Sequence, residues 1–145
     1  MVARRTNGGN GPAPRANRMS TLLVIDDEPV VRRVACQTLR EAGYTCLEAD
    51  SALAALEQLQ SDRLRLDGLV VDIRLPDMSG LNLVRLARVH RPGTPVLFIS
   101  GYAPPEATEP ELQRLLQAFL AKPFTSDQLL AAVREYLPTP QSAKP

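Results

Sequence analysis

Between residues 22 and 137, short apolar runs alternate with stretches of helical periodicity, and few folds accommodate that alternation. LLVID (22–26), YTCLEA (44–49), GLVVD (68–72), PVLFIS (95–100) and AFLAK (118–122) read as strands. GLVVD is almost wholly apolar, as a strand covered on both faces should be. Helical segments separate the strands. Five such units predict an α/β fold: a doubly wound, five-stranded parallel sheet with helices on both faces.

The helix boundaries carry local signals. Pro29 suits a first helical turn, where its missing N–H costs nothing. Val31, Val34, Ala35 and Leu39 are spaced as one apolar face, and Gly43 ends that helix. Ser51 is expected to cap a second helix, with Leu53, Leu56 and Leu59 sharing a side. A third is expected from about Gly80 to His90, and Thr125 opens the last, TSDQLLAAVREYL.

The formal net charge of +1 hides a split. Residues 1–19 hold Arg4, Arg5, Arg15 and Arg18 and no acid, while residues 20–145 carry 13 basic and 16 acidic groups. The first segment is rich in Gly, Asn and Pro and has little to bury, so 1–19 reads as a disordered basic arm and 139–145 as a disordered tail. The folded domain is expected over 20–138. This balance gives no global nucleic-acid footprint. No apolar run reaches membrane-span length, and the N-terminus lacks a signal-peptide stretch. Cys36 and Cys46 show no CxxC spacing and read as packing residues. A cytoplasmic setting without membrane contact is expected.

In sheets of this kind, ligands sit at the carboxyl ends of the strands. There the sequence places Asp26 and Asp27, Asp72, Ser100, and Lys122 followed by Pro123. An aspartate alone at a strand end is usually a cap or turn former. Three carboxylates at one edge repel one another unless a cation intervenes. Mg²⁺ takes oxygen ligands and suits two or three carboxylates in an open site.

These blocks resemble the receiver domains of two-component response regulators. The resemblance rests on LLVIDDEPVVRR, VVDIRLPDMSG, FISGY and AKPF, with 46 residues from Asp26 to Asp72, 28 from there to Ser100 and 22 more to Lys122. It implies a flavodoxin-like strand order, 2-1-3-4-5. By the same resemblance Asp72 is the phosphoacceptor, and Asp26, Asp27, Asp72 and the backbone carbonyl of Arg74 hold Mg²⁺. Ser100 binds the phosphoryl group and Lys122 pairs with one of its oxygens. Pro123 stands where the family commonly has a cis peptide bond. Pro76 and Gly80 match the loop after the acceptor strand. Arg74 and Tyr102 hold positions that tune phosphate lifetime. The phosphate would come from a histidine on a partner kinase or phosphotransfer protein, and docking is expected on a helix face that includes Arg32, Arg33 and Gln37. His90 lacks the neighbouring acid of a phosphotransfer histidine and reads as a surface residue.

Two departures from the family stand out. Phe119 takes a place often held by Tyr, and as a switch residue it has no hydroxyl to offer. Pro104, Pro105 and Pro110 do not fit a helix interior. The fourth helix should therefore begin near Glu109, after a loop over 101–108, with Thr108 and Glu111 as a capping box and a shortened dimerisation surface.

Two other functions are set against the receiver reading. An Asp-nucleophile phosphatase usually shows a DxD motif, whereas Asp72 stands in Asp-Ile-Arg. A receiver-fold interaction module without phosphorylation fits poorly with a complete acidic set. Neither a GxxxxGK[ST] loop nor a GxGxxG fingerprint occurs. Too few residues follow 137 for an output domain. The expected output is a surface offered to a downstream protein, as in single-domain regulators or hybrid histidine kinase receivers.

Overall fold

A computed structural model describes residues 20–103, 106 and 108–138. The expected arm (1–19) and tail (139–145) lie outside the described residues, as do Pro104 and Pro105. The strands are β1 (Thr21–Ile25), β2 (Thr45–Ala49), β3 (Gly68–Asp72), β4 (Val96–Ser100) and β5 (Phe119–Ala121). The helices are α1 (Pro29–Glu41), α2 (Ala52–Leu59), α3 (Gly80–His90), α4 (Pro110–Leu115) and α5 (Ser126–Tyr136). All strand pairs are parallel, in the order β2-β1-β3-β4-β5. This is the doubly wound arrangement expected from the sequence.

Alternation within each strand builds the two layers. Leu23, Ile25, Leu69, Val71, Val96 and Phe98 pack with α2 and α3 on one face. Leu22, Val24, Val70, Leu97 and Ile99 pack with α1 and α5 on the other. Burying each such side chain contributes roughly 1.5–3 kcal/mol. Cys36 and Cys46 are buried free thiols within the second layer.

Several caps form as expected. Pro29 opens α1, and Gly43 follows that helix at φ 104°, a backbone region that favours glycine. Ser51 accepts from the Ala54 amide. Thr125 and Gln128 form a reciprocal capping box. His90 is the exposed last residue of α3.

Three local expectations are corrected. The buried face of α1 is Ala35, Cys36, Thr38 and Leu39, while Val34 is 51% exposed and Val31 half-buried. The helix is rotated so that Val30 and Val34 face outward near the carboxyl edge of the sheet. On α2, small residues Ala52 and Ala55 meet the sheet with Leu59, Leu56 is half-buried, and Leu53 is exposed. The fourth helix does start with Pro110 at its first position, but no capping box joins Thr108 and Glu111. Glu109 is the N-cap, without a side-chain cap bond. The carboxylates of Glu109 and Glu111 are instead taken by Arg85 and Arg88 of α3.

Candidate functional site

β1, β3 and β4 end at the same edge, and the residues closing them meet there. Asp26 directly follows β1 and is fully buried; Asp72 and Ser100 close β3 and β4 and are nearly so. Lys122 follows β5, and its peptide bond to Pro123 is cis. The Lys122 amide donates to the Ser100 carbonyl at 2.8 Å, which fixes where its side chain starts. That side chain turns back across the edge. Its Nζ lies 2.8 Å from Asp26 Oδ2, 3.0 Å from Asp72 Oδ2 and 2.7 Å from Glu28 Oε1.

Asp72 is held at both oxygens: Oδ1 accepts the Arg74 amide at 3.0 Å and Oδ2 accepts from Lys122. Behind it, the Gly80 amide donates to the Ile73 carbonyl at 2.7 Å, and Arg74 bridges to Ser79. A Cβ on Gly80 would meet the Asp72 carbonyl oxygen at 2.4 Å, so only glycine lets the loop close this tightly. Ser100 Oγ accepts the Tyr102 amide at 3.1 Å and still has its own proton to donate. The Arg74 guanidinium stacks 3.9 Å from the Tyr102 ring centroid.

The electrostatics follow from this crowding. Burial pushes the Asp26 carboxyl above the usual carboxylate range, against the lowering pull of Lys122 and the Glu28 amide. Burial alone would lower Lys122, but its carboxylate partners outweigh it and hold the ammonium above the usual lysine value.

One carboxylate oxygen from each of Asp26, Asp27 and Asp72 lies within 4.8 Å of the others, close enough to share one metal ion. Asp26 Oδ2 is buried and has no aligned hydrogen bond; it is balanced only by the ion pair to Lys122. Hard oxygen donors with an unsaturated member fit a small divalent cation such as Mg²⁺. The edge opens into a pocket of about 850 Å³, lined by Asp27 and Asp72 among the acids of this cluster and by Val30, Val34 and Phe124.

Asp26, Asp27, Asp72, Arg74, Ser100, Tyr102 and Lys122 thus converge as the sequence placed them. Phe119 stands apart from the pocket lining, half-buried on β5 and packed against the α2–α3 layer. Arg32 is misassigned in the sequence reading: its side chain is only 13% exposed and bonds inward, so it cannot belong to an exposed docking face. Arg33 and Gln37 are exposed, with Gln37 bonded to Glu41. Sequence reasoning also missed Glu28, the third carboxylate on Lys122. Its place next to the acidic pair was the available signal.

Comparison with known proteins agrees with this geometry. Residues 22–134 match the family described as the response regulator receiver domain. The chain is 37% identical over 123 residues to the sensor kinase CckA of Brucella abortus, covering 81% of this chain. It spans only 12% of that relative's length. Among solved structures, the receiver domain of the hybrid histidine kinase CckA aligns with a TM-score of 0.66 and 30% identity, covering 85% of this chain and 99% of that one. Chemotaxis protein CheY4 of Vibrio cholerae aligns with a TM-score of 0.67 and 28% identity, covering 81% and 98%. The chain belongs to the response regulator receiver domain family. It is a receiver of the kind that two-component systems phosphorylate. Among the described residues, no helix is long and apolar enough to cross a membrane.

Proposed function

We propose that Asp72 accepts a phosphoryl group from a phosphohistidine on a partner kinase or phosphotransfer protein, in the cytoplasm, and that the domain turns over only its own phosphoryl group. A carboxylate oxygen of Asp72 forms the new P–O bond while the P–N bond to the partner imidazole breaks, and the histidine leaves with the bonding electron pair. The observation that carries this reading is Asp72 at the end of β3, held by the Arg74 amide and 3.0 Å from Lys122. Positioning and charge neutralisation are what such a transfer requires.

Asp26, Asp27, Asp72 and the Arg74 carbonyl would hold Mg²⁺, which supplies charge neutralisation for the incoming phosphoryl oxygens. Lys122 exchanges a carboxylate partner for a phosphoryl oxygen. Ser100 donates its proton to another. The partner protein covers the exposed Val30 and Val34, which line the same pocket as Asp27 and Asp72.

Ser100 pairs in register with Ala121, and Phe98 with Phe119, so a shift of Ser100 toward phosphate passes directly to β5. Phe119 therefore changes exposure in the phosphorylated protein and alters the surface offered to a downstream protein. The phosphoacceptor reading is tested with acetyl phosphate and Mg²⁺: intact mass should show one added phosphoryl group, lost with EDTA and in Asp72→Asn. Undiminished incorporation in Asp72→Asn would reject it.

A further inference from the structure

Arg32 lies on α1 yet is not part of the helix surface. Its Nη1 donates to the Asp26 backbone carbonyl at 2.8 Å, and its Nε donates to Glu48 Oε1 on β2 at 3.0 Å. The Asp26 amide in turn donates to the Ala49 carbonyl at 3.1 Å. Asp26 stands just past the last paired residue of β1. The peptide groups on both sides of the Asp26 Cα are therefore held: the N–H of the 25–26 peptide by β2, and the C=O of the 26–27 peptide by a guanidinium that β2 itself anchors.

The site's acids depend on that peptide. Asp26 Oδ1 accepts the Glu28 amide at 2.8 Å, and Asp27 is the next residue along the chain. A tilt of the 26–27 peptide would move both carboxylates together. Arginine is suited to this place because two of its nitrogens reach a carbonyl and a carboxylate at once, whereas lysine offers one nitrogen.

We infer that Arg32 is a positioning residue for the cation site: anchored by Glu48, its guanidinium fixes the Asp26 carbonyl and thereby the Asp26 and Asp27 carboxylates. The inference rests on the reading of Asp26, Asp27 and Asp72 as Mg²⁺ ligands. Positioning and charge act in opposite directions here. Removing a cation from an acidic site should by charge alone tighten Mg²⁺ binding; removing a positioning group should weaken it.

The test is a Mg²⁺ titration of the full chain followed by backbone amide NMR shifts, in wild type, Arg32→Met, Arg32→Lys and Glu48→Gln. Arg32→Met should weaken Mg²⁺ by roughly tenfold or more, the scale seen for outer-shell partners of metal ligands. Arg32→Lys should fall between it and wild type, and Glu48→Gln should weaken binding in the same direction. In the metal-free protein, amide exchange at Asp26 and Glu28 should quicken in Arg32→Met while the central strands keep their protection. Should Arg32→Met fail to fold, Arg32→Lys decides the matter, because it keeps the charge and changes only the geometry. Unchanged or tighter Mg²⁺ binding in the folded variants overturns the positioning role. No saturable Mg²⁺ binding in wild type overturns the cation-site reading beneath it.

Discussion

Lys122 Nζ lies 3.0 Å from Asp72 Oδ2, although 50 residues separate the two in the chain. The contact brings a permanent positive charge to the carboxylate that is proposed to attack phosphorus. Lys122→Met should slow phosphoryl uptake from acetyl phosphate by about 10²–10³-fold, the usual cost of losing one preorganised charge-stabilising donor. Uptake rates with circular dichroism as a fold control check this, and a change below about twofold would be incompatible with the assigned role.

Asp26 predicts a pH effect of definite sign. Its folded pKa is raised, so the folded protein holds this proton more tightly than the unfolded chain. Stability without Mg²⁺ therefore falls as pH rises from the ordinary carboxylate value of 3.8 through the raised one, and stays lower above it. Asp26→Asn removes this loss and should stabilise the metal-free protein at neutral pH by on the order of 1 kcal/mol, the usual gain when strain at a functional site is relieved. Urea midpoints against pH in EDTA measure it; a lower midpoint at pH 7 would contradict the sign.

The β3–α3 loop depends on Gly80. Any Cβ there meets backbone, with the Asp72 carbonyl at 2.4 Å and Ile73 Cα at 2.9 Å. Gly80→Ala should cost about 1–3 kcal/mol, as overpacking does. Phosphoryl uptake should slow as Asp72 shifts. Urea unfolding with uptake kinetics reads both effects.

Asp77 on the same loop accepts the Ala52 and Leu53 amides at 3.0 and 2.9 Å, tying the loop to the start of α2. Slight desolvation raises its pKa, but the amide hydrogen bonds outweigh that and hold it below 3.8. This contribution to stability is fully present above pH 3.8 and is lost as pH falls through the depressed value. The Asp77 carboxyl carbon followed by NMR should titrate below 3.8, with the Ala52 and Leu53 amides moving alongside. A midpoint at or above 3.8 would mean these bonds do not form in solution.

Arg74 and Tyr102 stack at the pocket mouth. Replacing either by Ala should change the lifetime of the phosphorylated state, and the double variant should differ little from the singles, because each loses the same contact. Additive effects would show that the residues act separately.

The sequence made the sheet and the site legible for a physical reason. The site is built from strand ends, and strand ends are marked by apolar runs stopping at Asp26, Asp72, Ser100 and Lys122. Helix rotation was less legible. On α1, helical spacing grouped Val31 and Val34 with Ala35 and Leu39; Ala35 and Leu39 do face the sheet, together with Cys36, but Val34 faces solvent. Periodicity defines a stripe, but closeness of packing decides which edge of the stripe turns inward. Arg32 was misjudged for a related reason. Its charge suggested solvent, whereas its partners, the Asp26 carbonyl just past β1 and Glu48 on β2, are brought together by a strand register that no local pattern reveals. The Thr108–Glu111 cap does not form because the N-cap is Glu109, one residue later than the cap requires, and the Glu111 carboxylate pairs with Arg88.

The central claim is that Asp72 takes the phosphoryl group. Its most direct test is borohydride reduction of the protein after reaction with acetyl phosphate and Mg²⁺, which converts an aspartyl phosphate to homoserine, followed by peptide mass spectrometry. Homoserine should appear at position 72 and at no other aspartate. Its appearance at Asp26 or Asp27, or no conversion despite incorporated phosphate, would contradict the claim.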